Sequence, residues 1–129
     1  MTPLVVDLPG MPPNPNARLN RFALARSRKD WRGWSKLAAT FALRESGHAD
    51  DFPLPMAEIE PVFYVRGNRS RDPDNLLASV KSLVDGMVDA HVLVDDSMAH
   101  VRYAPVRVVV SGKASRYVGV RLIVREVRP

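Results

Sequence analysis

The sequence contains no cysteine among its 129 residues. Disulfide bonds, thiolate nucleophiles and zinc sites built from cysteine are therefore excluded. No stretch approaches the roughly 20 consecutive apolar residues that cross a bilayer, and residues 1–10 lack the basic start and long apolar run of a signal peptide. Internal repeats and low-complexity tracts are also missing from the sequence. These absences predict a soluble, cytoplasmic protein that forms one domain over residues 1–129.

Acidic residues are fewer than basic ones, 14 against 19, and the formal net charge is +5. Such a surplus favours a polyanionic partner, although a protein that is merely basic and soluble remains an alternative. Basic residues crowd two segments, 18–36 and 66–71, whereas acidic residues concentrate between Asp72 and Asp96. A metal-dependent nuclease needs this distribution, because basic residues hold phosphates and carboxylates hold the metal. The candidate DNA-binding residues are Arg18, Arg21, Arg28, Lys29, Arg69 and Arg71.

The spacing of apolar residues predicts an α+β domain with the order β-α-β-α-β-β, in which helices pack on a mixed sheet. A clean apolar repeat of helical period, from Leu76 to Val88, makes the second helix the clearest element of the chain. The predicted elements are strands at Leu4–Leu8 and Met56–Val65, a helix at Asp30–Ser46 ended by Gly47, a central helix from Pro73 to Val88, and strands at Ala99–Val110 and Tyr117–Val127.

Four further details of these elements are predicted. The segment Asn16–Lys29 is predicted to be a loop or a short helix. Trp31 and Trp34 fall on one apolar helix face, so burial is preferred to stacking on DNA bases. Pro61 lacks a backbone donor and therefore places its strand at a sheet edge or a bulge. The last two strands are predicted to form a hairpin with one buried face and one basic face.

Carboxylates at the start of the central helix and in the turn after it are candidate metal ligands. Asp72 and Asp74 open the helix, and Asp95 and Asp96 follow the apolar run Val92–Val94. Mg²⁺ prefers such oxygen ligands. If that run packs beside the helix, several acids converge, which is unfavourable unless a cation neutralises them. Each acid also has a simpler explanation: Asp72 is a helix cap, Asp74 a partner of the helix dipole, and Asp95 and Asp96 form a turn.

Lys81 is the candidate cation of this site. At 100° per residue it differs from Asp74 by only about 20° around the helix axis. A lysine there can stabilise the charge that develops on a phosphate during cleavage, although a lone lysine is more often merely solvated.

The motif Asp72-Pro73-Asp74-Asn75-Leu76, with Lys81 and Asp85 on the same helix and Asp95-Asp96 before a strand, resembles the RusA family of Holliday junction resolvases. The segment Leu8–Asn16 is similar to the opening strand and proline-rich loop of that family. The resemblance implies a small α+β homodimer, often encoded by phages and prophages. It would use Mg²⁺, or Mn²⁺, to cut four-way DNA junctions by paired nicks in recombination, repair or phage DNA processing.

The resemblance also implies roles for individual residues. Asp72, Asp74 and Asp96 would bind the metal, with Asp95 as the alternative to Asp96, and Lys81 would be the catalytic lysine. The chain departs from the family pattern in one respect, because the family lysine falls one turn after the second aspartate. Ala78 occupies that position here, and Lys81 lies about 4.5 Å further along the axis. Two alternatives stay open: a catalytically weak or inactive branched-DNA-binding protein on the same fold, and a protein-interaction module without a nucleic-acid role.

Overall fold

The computed structural model describes residues 2–12, 20–66, 73–111 and 118–128, and the side chains of 73, 74 and 111 are outside the description. The elements, in chain order, are β1 (Leu4–Pro9), α1 (Arg21–Ser46), β2 (Ala57–Arg66), α2 (Pro73–Ser79), α3 (Lys81–Asp89), β3 (Val101–Tyr103), β4 (Arg107–Ser111) and β5 (Gly119–Glu126). A short 3₁₀ turn at Ala49–Asp51 follows α1. In these ranges, no helix is both long and apolar enough to span a membrane.

The strands form one mixed sheet in the order β1-β5-β2-β3, and β4 also pairs with β2. β5 runs antiparallel to β1 and to β2, whereas β3 and β4 run parallel to β2. Alternate residues of β1, namely Leu4, Val6 and Leu8, are buried on the face that the helices cover. The predicted fold, a single small α+β domain with helices packed on a mixed sheet, is confirmed.

The predicted hairpin of the last two strands is wrong, because β2 lies between β4 and β5. Pro61 predicted that its strand lies at a sheet edge or contains a bulge. β2 is instead an interior strand with neighbours on both sides. The sheet accommodates this proline through an interruption in the neighbouring strand. β3 pairs with Ala57–Ile59 and β4 with Val62–Arg66, so the break between β3 and β4 falls opposite Pro61. A residue without a backbone N–H therefore sits where the ladder is already open.

α1 begins at Arg21, nine residues before the predicted start at Asp30. The side chain of Asn20 caps it by accepting a hydrogen bond of 2.8 Å from the backbone N–H of Ala23. Residues 21–29, predicted as a loop or short helix, are thus part of a 26-residue helix. Gly47 ends α1 with a φ of 72°, as predicted, because glycine adopts the left-handed conformation without strain.

The predicted burial of both tryptophans is right for Trp31 and wrong for Trp34. Trp31 is buried together with Ser35 and Ala39, at a spacing of four residues along α1. Trp34 lies about 100° away from Ser35 around the axis, and 52% of its surface is exposed. The rings of the two tryptophans still meet edge to face, with their centroids 5.2 Å apart.

The central helix is divided in two at Val80, between α2 and α3. The backbone N–H of Val80 donates to the carbonyl of Leu77 at 3.0 Å, which is the spacing of a 3₁₀ turn. The hydroxyl of Ser79 donates to the carbonyl of Leu76 at 2.6 Å and tightens the same turn. The predicted apolar face is confirmed, since Leu76, Val80, Leu83, Val84 and Met87 are all buried.

Candidate functional site

Lys81, the first residue of α3, is the centre of the candidate site. Its Nζ donates to Asp85 Oδ1 at 3.1 Å, one turn further along the helix. The same Nζ contacts the Oδ2 of Asp96, which lies fifteen residues away in the sequence. The structure therefore places the lysine of the predicted site between two carboxylates, one from α3 and one from the loop after it.

Buried residues after α3 fix the position of Asp96. His91 adopts a φ of 64°, which turns the chain back at the end of α3. Val92 and Leu93 are buried, and Leu54 donates a backbone hydrogen bond of 3.0 Å to the carbonyl of Val92. The run therefore packs beside the helix, as expected, and the acidic pair emerges next to Lys81.

Asp95 and Asp96 differ in what their carboxylates contact. Asp95 Oδ1 accepts a hydrogen bond of 2.8 Å from the backbone N–H of Asp96, so this side chain closes the turn. Asp96 contacts the ammonium of Lys81. Of the pair, Asp96 is the residue that faces the candidate site.

The side chains of the other two predicted ligands lie outside the described part of the chain. Asp72 lies outside the described residues, and Asp74 is described only by its backbone in the first turn of α2. Among the side chains that the structure describes, no group of three or more His, Asp or Glu residues is arranged to hold a metal ion.

Tyr103, at the end of β3, is a neighbour of the site that the sequence did not indicate. Burial raises the pKa of its hydroxyl above the ordinary value of 10.0, and the negative charge of Asp85 raises it further. No local motif could have identified Tyr103, because only the pairing of β3 with β2 brings it towards α3.

A cleft of about 460 Å³ lies between α1 and the pair α2 and α3. Its lining residues are Arg28, Lys29, Arg32, Ala78, Ser79, Lys81, Ser82 and Asp85. Arg32 is neutralised there, since it donates two hydrogen bonds of 2.6 and 2.8 Å to Asp89 and thereby lowers the pKa of that carboxyl group. Arg28 and Lys29 are exposed, and neither forms an ion pair with another described residue. The cleft therefore presents positive charge beside Lys81.

The predicted DNA-binding residues are only partly within the described chain. Arg21, Arg28 and Lys29 are exposed residues of α1. Their positions around the helix, at 100° per residue, put them on one side of it, within about 100° of each other. Arg18, Arg69 and Arg71 lie outside the described residues.

The prediction of a basic face on the last two strands is wrong for β5, because the arginines of this strand are paired with acids. Arg121 donates to Asp7 at 2.7 Å and Arg125 to Glu60 at 3.3 Å. The sheet causes this pairing, since Asp7 is directly opposite Arg121 and Glu60 lies diagonally opposite Arg125. The same solvent-facing side of the sheet also carries the pair of Arg102 with Glu58 at 3.2 Å.

Comparisons of the chain with protein-family models, curated proteins and solved structures gave no match. The resemblance of residues 72–76 and 95–96 to the RusA family therefore stays a prediction. What the site can do follows from its own residues: two carboxylates and an ammonium group at the edge of a basic cleft.

Proposed function

We propose that this chain is a Mg²⁺-dependent endodeoxyribonuclease, also able to use Mn²⁺, that resolves four-way DNA junctions by paired nicks. The observation that carries the proposal is the contact between Lys81 and Asp96. This contact joins the two halves of the predicted motif, and it lies at the edge of a cleft that Arg28 and Lys29 make basic. The aspartate and the lysine of the motif thus lie together where a phosphodiester backbone can approach.

The residues at the site fit a hard divalent cation. The carboxylates of Asp85 and Asp96 both point at one positive charge, that of Lys81, so this position favours a cation. Their oxygen atoms are of the ligand type that Mg²⁺ and Mn²⁺ prefer. Asp96, together with Asp72 and Asp74, would hold the metal. A bound Mg²⁺ polarises the phosphoryl oxygen and makes an attacking water more acidic.

The chain's own groups would have separate tasks. Lys81, once its ammonium is no longer neutralised by Asp96, would stabilise negative charge on the phosphate in the transition state. Asp85 would keep the lysine on this side of α3 through its ion pair. Arg28 and Lys29 would hold the flanking phosphates and so orient the scissile one.

Cleavage of a labelled synthetic four-way junction in Mg²⁺ tests the proposal. Asp96→Asn keeps the shape of the side chain but removes its charge. We expect the cleavage rate to fall by about 100-fold, because the charge that binds the metal and positions Lys81 is lost. Junction binding should be retained, because the residues that hold phosphates lie elsewhere. The same result is expected for Asp74→Asn.

Asp50→Asn is the matched control, since Asp50 is an exposed aspartate of the 3₁₀ turn with no contact to Lys81. Its cleavage rate should equal that of the wild type. An Asp96→Asn protein that cuts the junction at the wild-type rate would refute this assignment of the site.

A second candidate function is supported by the same ion pairs. Because Lys81 already pairs with Asp96, the charge of this carboxylate is neutralised without a metal. This arrangement suits a protein that binds branched DNA through the basic cleft but does not cut it. Salt-sensitive junction binding, with no product in either Mg²⁺ or Mn²⁺, would favour this function over the nuclease.

A further inference from the structure

The outer edge of β1 has no neighbouring strand in the part of the chain that the structure describes, where β1 pairs only with β5. The backbone N–H of Gly10, directly after β1, donates to the carbonyl of Val118 at 2.9 Å. Hydrogen-bonded pairs alternate along an antiparallel ladder, so the even-numbered residues of β1 bond to β5. The odd-numbered residues Val5 and Asp7 therefore point their N–H and C=O groups away from the sheet. Pro9, which follows in this outward row, has no N–H.

A groove runs along this edge, between β1 and the side of α1 that lies away from the Lys81 cleft. Near the start of β1 it contains a cavity of about 560 Å³, whose lining includes Val5, Phe41 and Glu45. Near the end of β1, Trp34 lines a second cavity of about 360 Å³. The rings of Trp34 and Phe41 are 52% and 65% exposed. These two rings and Glu45 lie within about 40° around α1 and span about 17 Å along it, the length of about five residues of strand.

The unpaired charge in this groove is negative. Three ionisable side chains line the larger cavity, namely Asp7, Glu45 and His48. Asp7 pairs with Arg121 at 2.7 Å, and His48 lies 3.9 Å from Asp51. Glu45 is exposed and forms no ion pair with another described residue. The groove thus presents a carboxylate beside apolar surface, which favours a positively charged partner and disfavours a nucleic acid.

We propose that the open edge of β1 binds an extended segment of another protein, which adds to the sheet as a further strand. The backbone of the segment pairs with the outward N–H and C=O groups of Val5 and Asp7. Alternate residues of a strand point to one face, so every second side chain of the segment faces α1. Along the groove these side chains meet Glu45, then Phe41, then Trp34. The segment therefore has a lysine or arginine near one end, followed by apolar residues at alternate positions.

β1 of a second copy of the chain does not fit this description. Residues 2–10 contain no lysine or arginine to meet Glu45. The alternate apolar residues of β1, Leu4, Val6 and Leu8, are already buried under their own helices. The inference depends only on the edge of β1 and on α1, and it holds whether or not the Lys81 site cuts DNA.

Selection from a display library of random twelve-residue peptides on the immobilised full chain tests this site. We expect the enriched peptides to alternate apolar and polar residues and to carry a lysine or arginine near one end. Fluorescence anisotropy of the most enriched peptide then gives its dissociation constant for each variant. Val5→Pro removes an outward N–H that the ladder with β5 does not use, so the dissociation constant should rise by about 10-fold. Val5→Thr is the matched control, because it keeps the N–H and the branched shape, and it should bind like the wild type.

A charge exchange tests the contact with Glu45. Glu45→Lys should weaken binding of the selected peptide, and a copy of the peptide with glutamate in place of its basic residue should bind this variant more tightly than the wild type. Glu45 is exposed on a helix surface, so this exchange decides the matter if thermal unfolding shows that Val5→Pro does not fold.

Three results would overturn the inference. The first is a library from which the wild-type chain enriches no peptide. The second is a selected peptide that binds the folded Val5→Pro variant, or Glu45→Lys, as tightly as the wild type. The third is a dimer of the chain alone, seen by sedimentation velocity, that Val5→Pro dissociates, because the edge would then belong to a second copy. None of these measurements uses DNA cleavage, so their outcome is separate from that of the proposed function.

Discussion

At the scale of single residues, Lys81 lies one turn further along the helix than the lysine of the RusA pattern. It nevertheless contacts Asp96 of the acidic pair. The helix is interrupted at Val80, so Lys81 begins a new helix. Asp85 and Asp96 then hold the ammonium from two sides. An exposed pair such as Lys81 with Asp85 contributes little stability, so its main effect is on position.

The charge of Asp85 also acts on Tyr103, and this effect can be measured. Asp85 carries a negative charge that makes loss of the phenolic proton less favourable, which raises the pKa of Tyr103. Asp85→Asn removes that charge, so the pKa of Tyr103 should fall. It should stay above the ordinary value of 10.0, because burial, the larger cause, is unchanged. A pH titration of the Tyr103 ring signals by NMR checks this.

Asp89→Asn is a suitable control for that titration. Asp89 lies one turn further along α3 and pairs with Arg32, and its charge does not contribute to the pKa shift of Tyr103. The pKa of Tyr103 should therefore be the same in this variant as in the wild type. If Asp85→Asn left the pKa unchanged or raised it, Asp85 would not face the hydroxyl of Tyr103.

At the scale of elements, α1 and α3 approach so closely that only glycine fits at one contact. A Cβ added to Gly86 would collide with the carbonyl oxygen of Arg32 and would lie 2.7 Å from the Cβ of Ser35. Beside this contact the buried hydroxyl of Ser35 donates a hydrogen bond of 2.6 Å to the carbonyl of Leu83. Backbone of α1 therefore rests directly on backbone of α3, and this contact fixes the two walls of the cleft.

The same substitution at two helical glycines should have opposite effects. Gly86→Ala forces α1 and α3 apart, and we expect it to lower the free energy of unfolding by about 1–3 kcal/mol. Gly33→Ala adds a methyl group in open space and should raise it by about 0.5–1 kcal/mol, because alanine loses less conformational entropy in a helix. Urea unfolding followed by circular dichroism measures both. A Gly86→Ala protein as stable as the wild type would show that the helices can separate without loss.

The elements also show which features a sequence can predict. The apolar repeat of α3 and the stop at Gly47 are local signals, and both predictions were right. The position of β2 between β4 and β5 depends on pairing between strands that are distant in the sequence. The alternation of apolar residues along a strand predicts its buried face but not which strands lie beside it. In the site, the apolar run Val92–Val94 predicted that the acidic pair would lie beside the central helix, whereas the choice of Asp96 and the role of Lys81 came from the resemblance. Tyr103 was missed because it comes from β3, which only the folded sheet brings close.

At the scale of the whole molecule, α1 separates two surfaces of different chemistry. One side carries Arg28 and Lys29 beside the cleft, and the other exposes the apolar side chains of Trp34, Leu37 and Phe41. Three arginines of the sheet, Arg102, Arg121 and Arg125, add little to the positive field, because Glu58, Asp7 and Glu60 pair with them. Within the described chain, the unpaired positive charge is therefore concentrated on α1. DNA should approach this helix and not the sheet.

The salt dependence of junction binding tests this division of the surface. The affinity of a protein for DNA falls with salt in proportion to the number of phosphates that its cations contact, by about 0.9 in logarithmic slope per contact. Replacing Arg28 and Lys29 together by alanine should therefore weaken binding and make the slope shallower by about 2. Arg102→Ala, which removes a sheet arginine that is paired with Glu58, should leave the slope nearly unchanged. Fluorescence anisotropy of a labelled four-way junction, titrated at several salt concentrations without divalent metal, gives both slopes. A slope change of about 1 for Arg102→Ala, the change expected for each residue of α1, would show that the sheet also binds DNA. In that case Arg102 would leave Glu58 to contact a phosphate.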